Sequence, residues 1–256
     1  MAHVRPAERP AVKRLRDLAE RAAESGSGRL TNFLTPREAQ IGSMIAASVG
    51  VSWDAWGGYP EAERRRGAFG SGDGPREDAG RRFGVCCLYA EAGKGFPPPG
   101  HGDYLGSVTG LGLERDRFGD ILPDEAGAYV FVHEIMAPVL ERDWMRAGRA
   151  PVRLRRVGAA NPDRLPRPRL AERVVTLSSL RLDAFAAQAF GLSRTKALEP
   201  IRAGRAQLNF APCEDPAASV EPGDVVSIRG LGRARVVAIE GESRSGRSFV
   251  RIGRYV

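Results

Sequence analysis

Residues 158–173 read GAANPDRLPRPRLAER and hold three prolines and four arginines. Proline fixes φ and lacks a backbone N–H, so a run this dense in it neither continues a helix nor sits inside a sheet. The chain on either side is therefore expected to fold separately, joined by a basic linker over 158–175 that is extended around its prolines. The length of 256 residues agrees, since domains run to roughly 150 residues and one to three small ones fit.

The same region divides the charge. Lys and Arg number 39 against 31 Asp and Glu, and only Lys13, Lys94 and Lys196 are lysines. Residues 1–148 carry 19 basic and 21 acidic side chains, residues 149–173 carry eight Arg against Asp163 and Glu172, and residues 174–256 carry 12 basic and 8 acidic. The whole positive excess thus lies in the last 108 residues, the footprint of a polyanion-binding module or of a solvated surface with a charged linker. Arginine forks pair bidentately with phosphate and stack on bases.

Several classes are excluded. An apolar content of 42% is too rich for wholesale disorder, and no apolar run reaches the roughly eighteen residues of a membrane span. The stretch from Met1 to Arg16 is charged and lacks the apolar core of a secretory signal. The three cysteines, Cys86, Cys87 and Cys213, have no framework spacing, which suits a reducing cytoplasm. Cys86 and Cys87 are adjacent, so in a strand they face opposite ways. No CxxC, HExxH or chelating Cys/His pair occurs, so no metal site is expected.

Residues 1–78 are expected to form an N-terminal helical domain. Val12, Leu15, Leu18 and Ala22 mark one helix; Thr35 as N-cap, Pro36 and Glu38 open a second, whose buried stripe is Ile41, Met44, Ile45 and Val49. The triplet Arg64-Arg65-Arg66 is expected on a solvated face, with a second RNA contact the alternative. Residues 79–157 alternate as strand 82–90, helix 100–112, strands 118–122 and 128–132, helix 134–146 and strand 151–157. This β-α-β-β-α-β order is ferredoxin-like and shared with RRM-like modules, so the fold class is α+β. Tyr89, Tyr129, Phe83 and Phe131 are candidate base-stacking aromatics, with core packing the expected use.

Residues 176–256 carry the strongest signal. Leu182, Phe185, Ala186 and Ala189 line one helix that Gly191 stops; Ser193 caps a second that ends at Gly204. Strands at 225–229, 236–240 and 248–253 back the pair. Arg181, Arg194, Lys196, Arg202 and Arg205 flank the helices, which makes a phosphate-reading surface. Arg194 and Arg205 lead as phosphate contacts, followed by Arg181 and Lys196, then Arg202. Ser193 reads first as a cap, Asp183 as the group orienting Arg181 or its helix N-terminus, and Asn209 as a bond to a loop backbone or to a nucleotide.

Arg181-Leu182-Asp183, Ser193-Arg194, Ala197, Ile201, Gly204, Leu208-Asn209 and Asp224 resemble the S-four RNA-binding domain. With FLTPRE (33–38), GGYPEAERRR (57–66), HGDYLGSVTGLGLERDRFGD (101–120) and SSLRLDAFAAQAFGLSR (178–194), the chain is similar to the YlmH family of bacterial RNA-binding proteins. The resemblance implies an N-terminal helical segment, an RRM-like centre and a C-terminal S-four-type helical pair on a small β-sheet. It also implies binding to ribosomal RNA and tRNA on the large ribosomal subunit, a role in quality control of stalled subunits, and a link to the cell-division gene neighbourhood. The chain departs at Pro200, inside the second helix, at Phe210-Ala211-Pro212 after Asn209, and in the insert around Pro97-Pro98-Pro99.

His101 with Asp103, and His133 with Glu134, are candidate acid–base pairs. No nucleophile elbow, phosphate loop or cofactor fingerprint accompanies them. The expectation is a non-enzymatic RNA-binding factor with no cofactor, no small-molecule substrate and no membrane partner. An RNA-modifying enzyme targeted by its C-terminal domain and a cell-division adaptor are the alternatives.

Overall fold

The computed structural model describes residues 6–70, 78–158, 165–167, 170–243 and 246–255. Two units divide it, residues 1–166 and residues 167–256.

The first unit opens with α1 (Arg9–Ser25). Leu15, Ala19 and Ala22 of α1 are buried against Ile41, Ile45 and Ala46 of α2 (Pro36–Val49). Thr35 and Glu38 close a reciprocal capping box on α2, with Thr35 Oγ1 accepting from the Glu38 N–H at 3.2 Å and Glu38 Oε2 from the Thr35 N–H at 2.9 Å. Such a cap contributes about 1 kcal/mol. The helices are joined by an antiparallel sheet of β1 (Arg29–Leu34), β2 (Trp53–Trp56) and β3 (Arg65–Phe69), ordered β1-β3-β2. Periodicity hides this sheet because its strands are four to six residues long and β3 buries an arginine. Arg66 donates to the carbonyls of Thr31, Phe83 and Gly84. Gly42 and Gly67 admit the Trp53 ring between α2 and β3; a Cβ on either would stand 2.4 and 2.1 Å from Trp53 Cη2.

After α3 (Ala79–Phe83), the central elements are β4 (Val85–Ala92), α4 (His101–Gly110), β5 (Phe118–Pro123), β6 (Gly127–His133), α5 (Ala137–Asp143), β7 (Arg146–Ala147) and β8 (Ala150–Val157). The antiparallel sheet is ordered β5-β6-β4-β8-β7, the ferredoxin-like arrangement with one short strand added at its edge. One face, with Leu88, Ala90, Val130 and Val132, packs under Tyr104, Val108, Leu140 and Trp144. Cys86 packs on that side and Cys87 on the other, as their adjacency requires.

The second face carries Cys87 and Phe131 and is covered by Tyr59, Ala62 and Phe83. Phe131 lies 4.9 Å from the Tyr59 ring, and Gly58, at φ +108°, leaves room for Phe131 where a Cβ would stand 2.1 Å from its Cδ1. Asp120 pins the covering loop, accepting from Tyr59 Oη at 2.8 Å, the Glu63 N–H at 2.7 Å and the Arg64 N–H at 3.1 Å. Phe83 and Phe131 are therefore core residues. Tyr89 and Tyr129 meet edge to face at 4.9 Å, with Tyr89 Oη on Asp124.

The second unit is a six-stranded antiparallel sheet carrying two helices. Its strands are β9 (Leu170–Leu177), β10 (Ala206–Leu208), β11 (Ala211–Pro212), β12 (Val225–Ile228), β13 (Gly232–Glu242) and β14 (Ser248–Tyr255), ordered β11-β10-β12-β13-β14-β9. The expected linker over 158–175 overlaps β9, which pairs with β14 from Leu170 onward. An edge strand tolerates exposed charges such as Glu172 and Arg173, so composition alone conceals it. Residues 159–164 and 168–169 of that segment lie outside the described residues. Against the sheet pack α6 (Leu182–Phe190) and α7 (Arg194–Arg202), burying Leu182, Phe185, Ala186, Ala197 and Ile201 with Val226, Val236 and Ile252. α7 runs through Pro200, whose ring is buried and whose missing N–H falls in the last turn.

Candidate nucleic-acid interface

The α6–α7 turn is set by its punctuation. Gly191 closes α6 in the left-handed region at φ 68°, and Ser193 Oγ accepts from the Lys196 N–H at 3.2 Å to open α7. Ser193 is thus a cap. Its neighbour Arg194 is thereby placed beside the start of α6, where Asp183 stands.

Asp183 organises the site. Its side chain is 4% exposed, and it accepts from Nε and one terminal nitrogen of both Arg181 and Arg194, all four contacts at 3.2 Å. Burial pushes this carboxyl up, but the hydrogen bonds and charges of Arg181 and Arg194 outweigh it and hold it below the ordinary carboxylate range. The two arginine side chains remain 41% and 50% exposed. Two forks are therefore held in fixed orientation with their outer edges in solvent. The expected Asp183–Arg181 contact is present; the second fork, Arg194, had no local signal, since it arrives eleven residues later across a turn.

The remaining cations lie on and after α7. The side chains of Lys196 and Arg202 are exposed and have no ion pair among the described residues. Arg205 meets Glu199 at 3.2 Å on the surface. At about 100° per residue, Arg194 and Lys196 stand on opposite flanks of the exposed side of α7, with Arg202 between them. The cations thus span a wide arc and do not make one flat stripe. Sequence reasoning missed Arg229, whose N–H donates to the Arg205 carbonyl at 3.0 Å and whose side chain is exposed beside it. The pairing of β10 with β12 brings these two together across 24 residues of chain.

Asn209 is taken up by the loop that leads into β12. Its Nδ2 donates to Asp224 at 2.7 Å and its Oδ1 accepts from the Val225 N–H at 2.9 Å. Of its two expected uses, the geometry shows the loop bond. Asn209 and Phe210 form the two-residue turn between β10 and β11, at φ 49° and 65°. Arg233 Cζ lies over the Phe210 and Tyr255 rings, 5.5 and 4.5 Å from their centroids.

Two of the four chemistry candidates of the first unit have structural uses. Asp103 Oδ2 accepts from the Gly100 N–H at 2.9 Å, and His133 Nδ1 from the Ile135 N–H at 3.2 Å. Burial lowers the pKa of His133, and the nearby Arg66 and Arg117 lower it further. Burial and Arg115 likewise lower that of His101. The expected solvated face for Arg64-Arg65-Arg66 is overturned. Arg64 donates to the Phe33 and Arg115 carbonyls, Arg65 to those of Ala62 and Pro60, and Arg66 is buried. These guanidiniums tie loops together, a role that a run of like charges does not announce. Among the described residues no group of His, Cys, Asp and Glu could hold a metal ion, and no helix is long and apolar enough to cross a membrane.

Comparison with known proteins agrees with this architecture. Residues 7–73 match the family described as "YlmH, N-terminal", and residues 82–161 match the one described as "Putative RNA-binding domain in YlmH". The chain is 32% identical over 243 residues to the ribosome-associated protein quality control protein P2 of Bacillus subtilis (strain 168), covering 94% of this chain and 93% of that one. A solved structure, the cell division protein ylmH from Streptococcus pneumoniae, shares the fold at a TM-score of 0.51 and 21% identity, covering 61% of this chain and 94% of its own. Near-full-length identity at this level, with both family matches in chain order, establishes that the chain belongs to the YlmH family.

Proposed function

We propose that this protein is a non-enzymatic RNA-binding factor of the bacterial cytoplasm that docks on the large ribosomal subunit. In this reading residues 176–256 are an S-four-type RNA-binding domain. Its targets are ribosomal RNA and tRNA, and its setting is the quality control of stalled subunits. The observation that carries the reading is the cation array on α6 and α7: two arginine forks fixed by Asp183, with Lys196, Arg202, Arg205 and Arg229 exposed around them. An arc this wide suits phosphates presented by more than one strand of a folded RNA, and phosphate contacts position a protein without reading base sequence. The near-full-length relative named for ribosome-associated quality control supports the setting.

The mechanism is positioning. Arg181 and Arg194 present N–H donors in a preset plane, so little side-chain entropy is lost when they engage phosphate oxygens. Lys196, Arg202 and Arg229 contribute charge from exposed side chains. About five phosphate contacts give a slope of log K against log salt near −4. The Arg194→Ala, Arg205→Ala double variant is expected to stay folded and to lose co-sedimentation with large subunits. Retained co-sedimentation of the folded variant would sink the assignment. An adaptor role in cell division is favoured by the name of the solved relative; it requires recovery of division proteins that survives RNase treatment.

A further inference from the structure

Phe210 occupies a backbone conformation that its side chain disfavours. It is the second central residue of the Leu208–Ala211 hairpin turn, at φ 65°, after Asn209 at φ 49°. Two positive φ values in a two-residue hairpin mark a type I′ turn, whose second position strongly favours glycine. Asparagine tolerates this region; a bulky aromatic residue there is an outlier. Strain of this kind persists where the surroundings hold it and clusters at binding sites.

An independent observation concerns what the ring does. Phe210 sits at a loop tip, half-buried, and the Arg233 guanidinium lies over its ring and over that of Tyr255, also half-buried. The Arg233 guanidinium thus stacks on both rings. The three side chains come from β13, β14 and the β10–β11 turn, so the stack is tertiary and not local. β10 leads to it directly from Arg205, and its three residues span about 10 Å. Aromatic rings and guanidinium planes beside phosphate-binding cations are the parts from which single-stranded nucleic acid sites are built.

Resting on the RNA-binding reading above, we infer that Phe210, with Arg233 and Tyr255, is a stacking platform for an unpaired nucleotide. The RNA recognised is then a folded stem with a single-stranded base adjoining it: α6 and α7 hold the phosphates of the stem and Phe210 takes the base. The turn keeps phenylalanine at a glycine position because the ring is used in binding.

The test uses the full-length chain, a blunt RNA hairpin, and the same hairpin with a 3′ tail of four uridines carrying 4-thiouridine. The wild type is expected to bind the tailed hairpin about tenfold more tightly than the blunt one. Phe210→Gly, which suits the turn, is expected to bind the tailed hairpin about as weakly as the wild type binds the blunt one, whereas Phe210→Tyr keeps the preference. Irradiation of the wild-type complex is expected to crosslink the tail to the peptide holding Phe210 or Tyr255, a readout that needs no variant to fold. Equal binding of both probes by the wild type, a tail preference that survives in Phe210→Gly, or crosslinks elsewhere in the chain would overturn the inference. A Lys196→Ala, Arg205→Ala variant that binds both probes like the wild type would instead strike at the RNA-binding reading itself.

Discussion

Asp183→Asn tests whether the twin forks are a structural unit. The carboxylate takes four donated N–H bonds at 3.2 Å while almost wholly buried. Asparagine keeps one acceptor oxygen and turns an NH2 toward one guanidinium, so one fork is left facing a donor. Removing one partner of a fully buried ion pair costs about 3–5 kcal/mol. Here both surviving cations are 41% and 50% exposed and regain water, so the loss is smaller, about 1–2 kcal/mol. The second unit spans residues 167–256, and for a domain of that size about 1 kcal/mol shifts Tm by roughly 4–8 °C. Calorimetry should show the transition of this unit falling by about 6–12 °C while that of residues 1–166 stays put. The sign of the pH dependence follows from the depressed carboxyl. The stabilisation is present above the unfolded value of about 3.9 and is lost as pH falls through the lower folded value. Asp183→Asn should remove that acid limb. An unshifted transition with an unchanged acid limb would refute the reasoning.

Other perturbations address the rest of the molecule. Gly58→Ala sets a Cβ 2.1 Å from Phe131 at a φ of +108°, and overpacking plus backbone strain should lower the stability of the first unit by about 3 kcal/mol, read from denaturant midpoints. Asp120→Ala strands the Tyr59 hydroxyl and the Glu63 and Arg64 N–H groups. Its cost should be about 2–4 kcal/mol, with faster proteolysis of the loop over residues 57–64. Lys196→Ala should leave Tm unchanged and reduce the salt slope of RNA binding by about 1.

Where local chemistry decided the structure, the sequence was readable. The capping box at Thr35 and Glu38, the Gly191 stop and the Ser193 cap act within four residues, and each stands as its residue types require. The β-α-β-β-α-β order was legible because its strands are short apolar runs set apart by helices and a turn, and the strand order follows. The three-stranded sheet near the N-terminus was not, because its stability comes from Trp53 seated between Gly42 and Gly67 and from the buried Arg66, all long-range facts. The arginine triplet 64–66 was misread for the same reason: its partners are carbonyls up to fifty-one residues away. In the candidate site the cations were visible as residues, but their states were not. Arg194 and Lys196 look alike in a charge count, yet one is fixed by Asp183 and the other exposed without an ion pair among the described residues.

That difference gives Asp183→Asn a second consequence. The cluster of Arg181, Asp183 and Arg194 carries two positive charges and one negative, so the substitution raises the net charge of the surface by one. If cations acted only through their field, the variant would bind RNA more tightly and with a steeper salt slope, by about 0.9. If the fixed plane of the forks matters, the slope still steepens but affinity near physiological salt falls, because the released guanidinium must be ordered at binding, at about 0.5–1.5 kcal/mol. The attraction of one added charge is screened within about 8 Å at that ionic strength, so the ordering cost should win and binding should weaken by roughly threefold to tenfold. Filter binding from low to physiological salt separates the two: tighter binding by Asp183→Asn at every salt would mean that Asp183 serves the fold alone and that the arginines act only as charges.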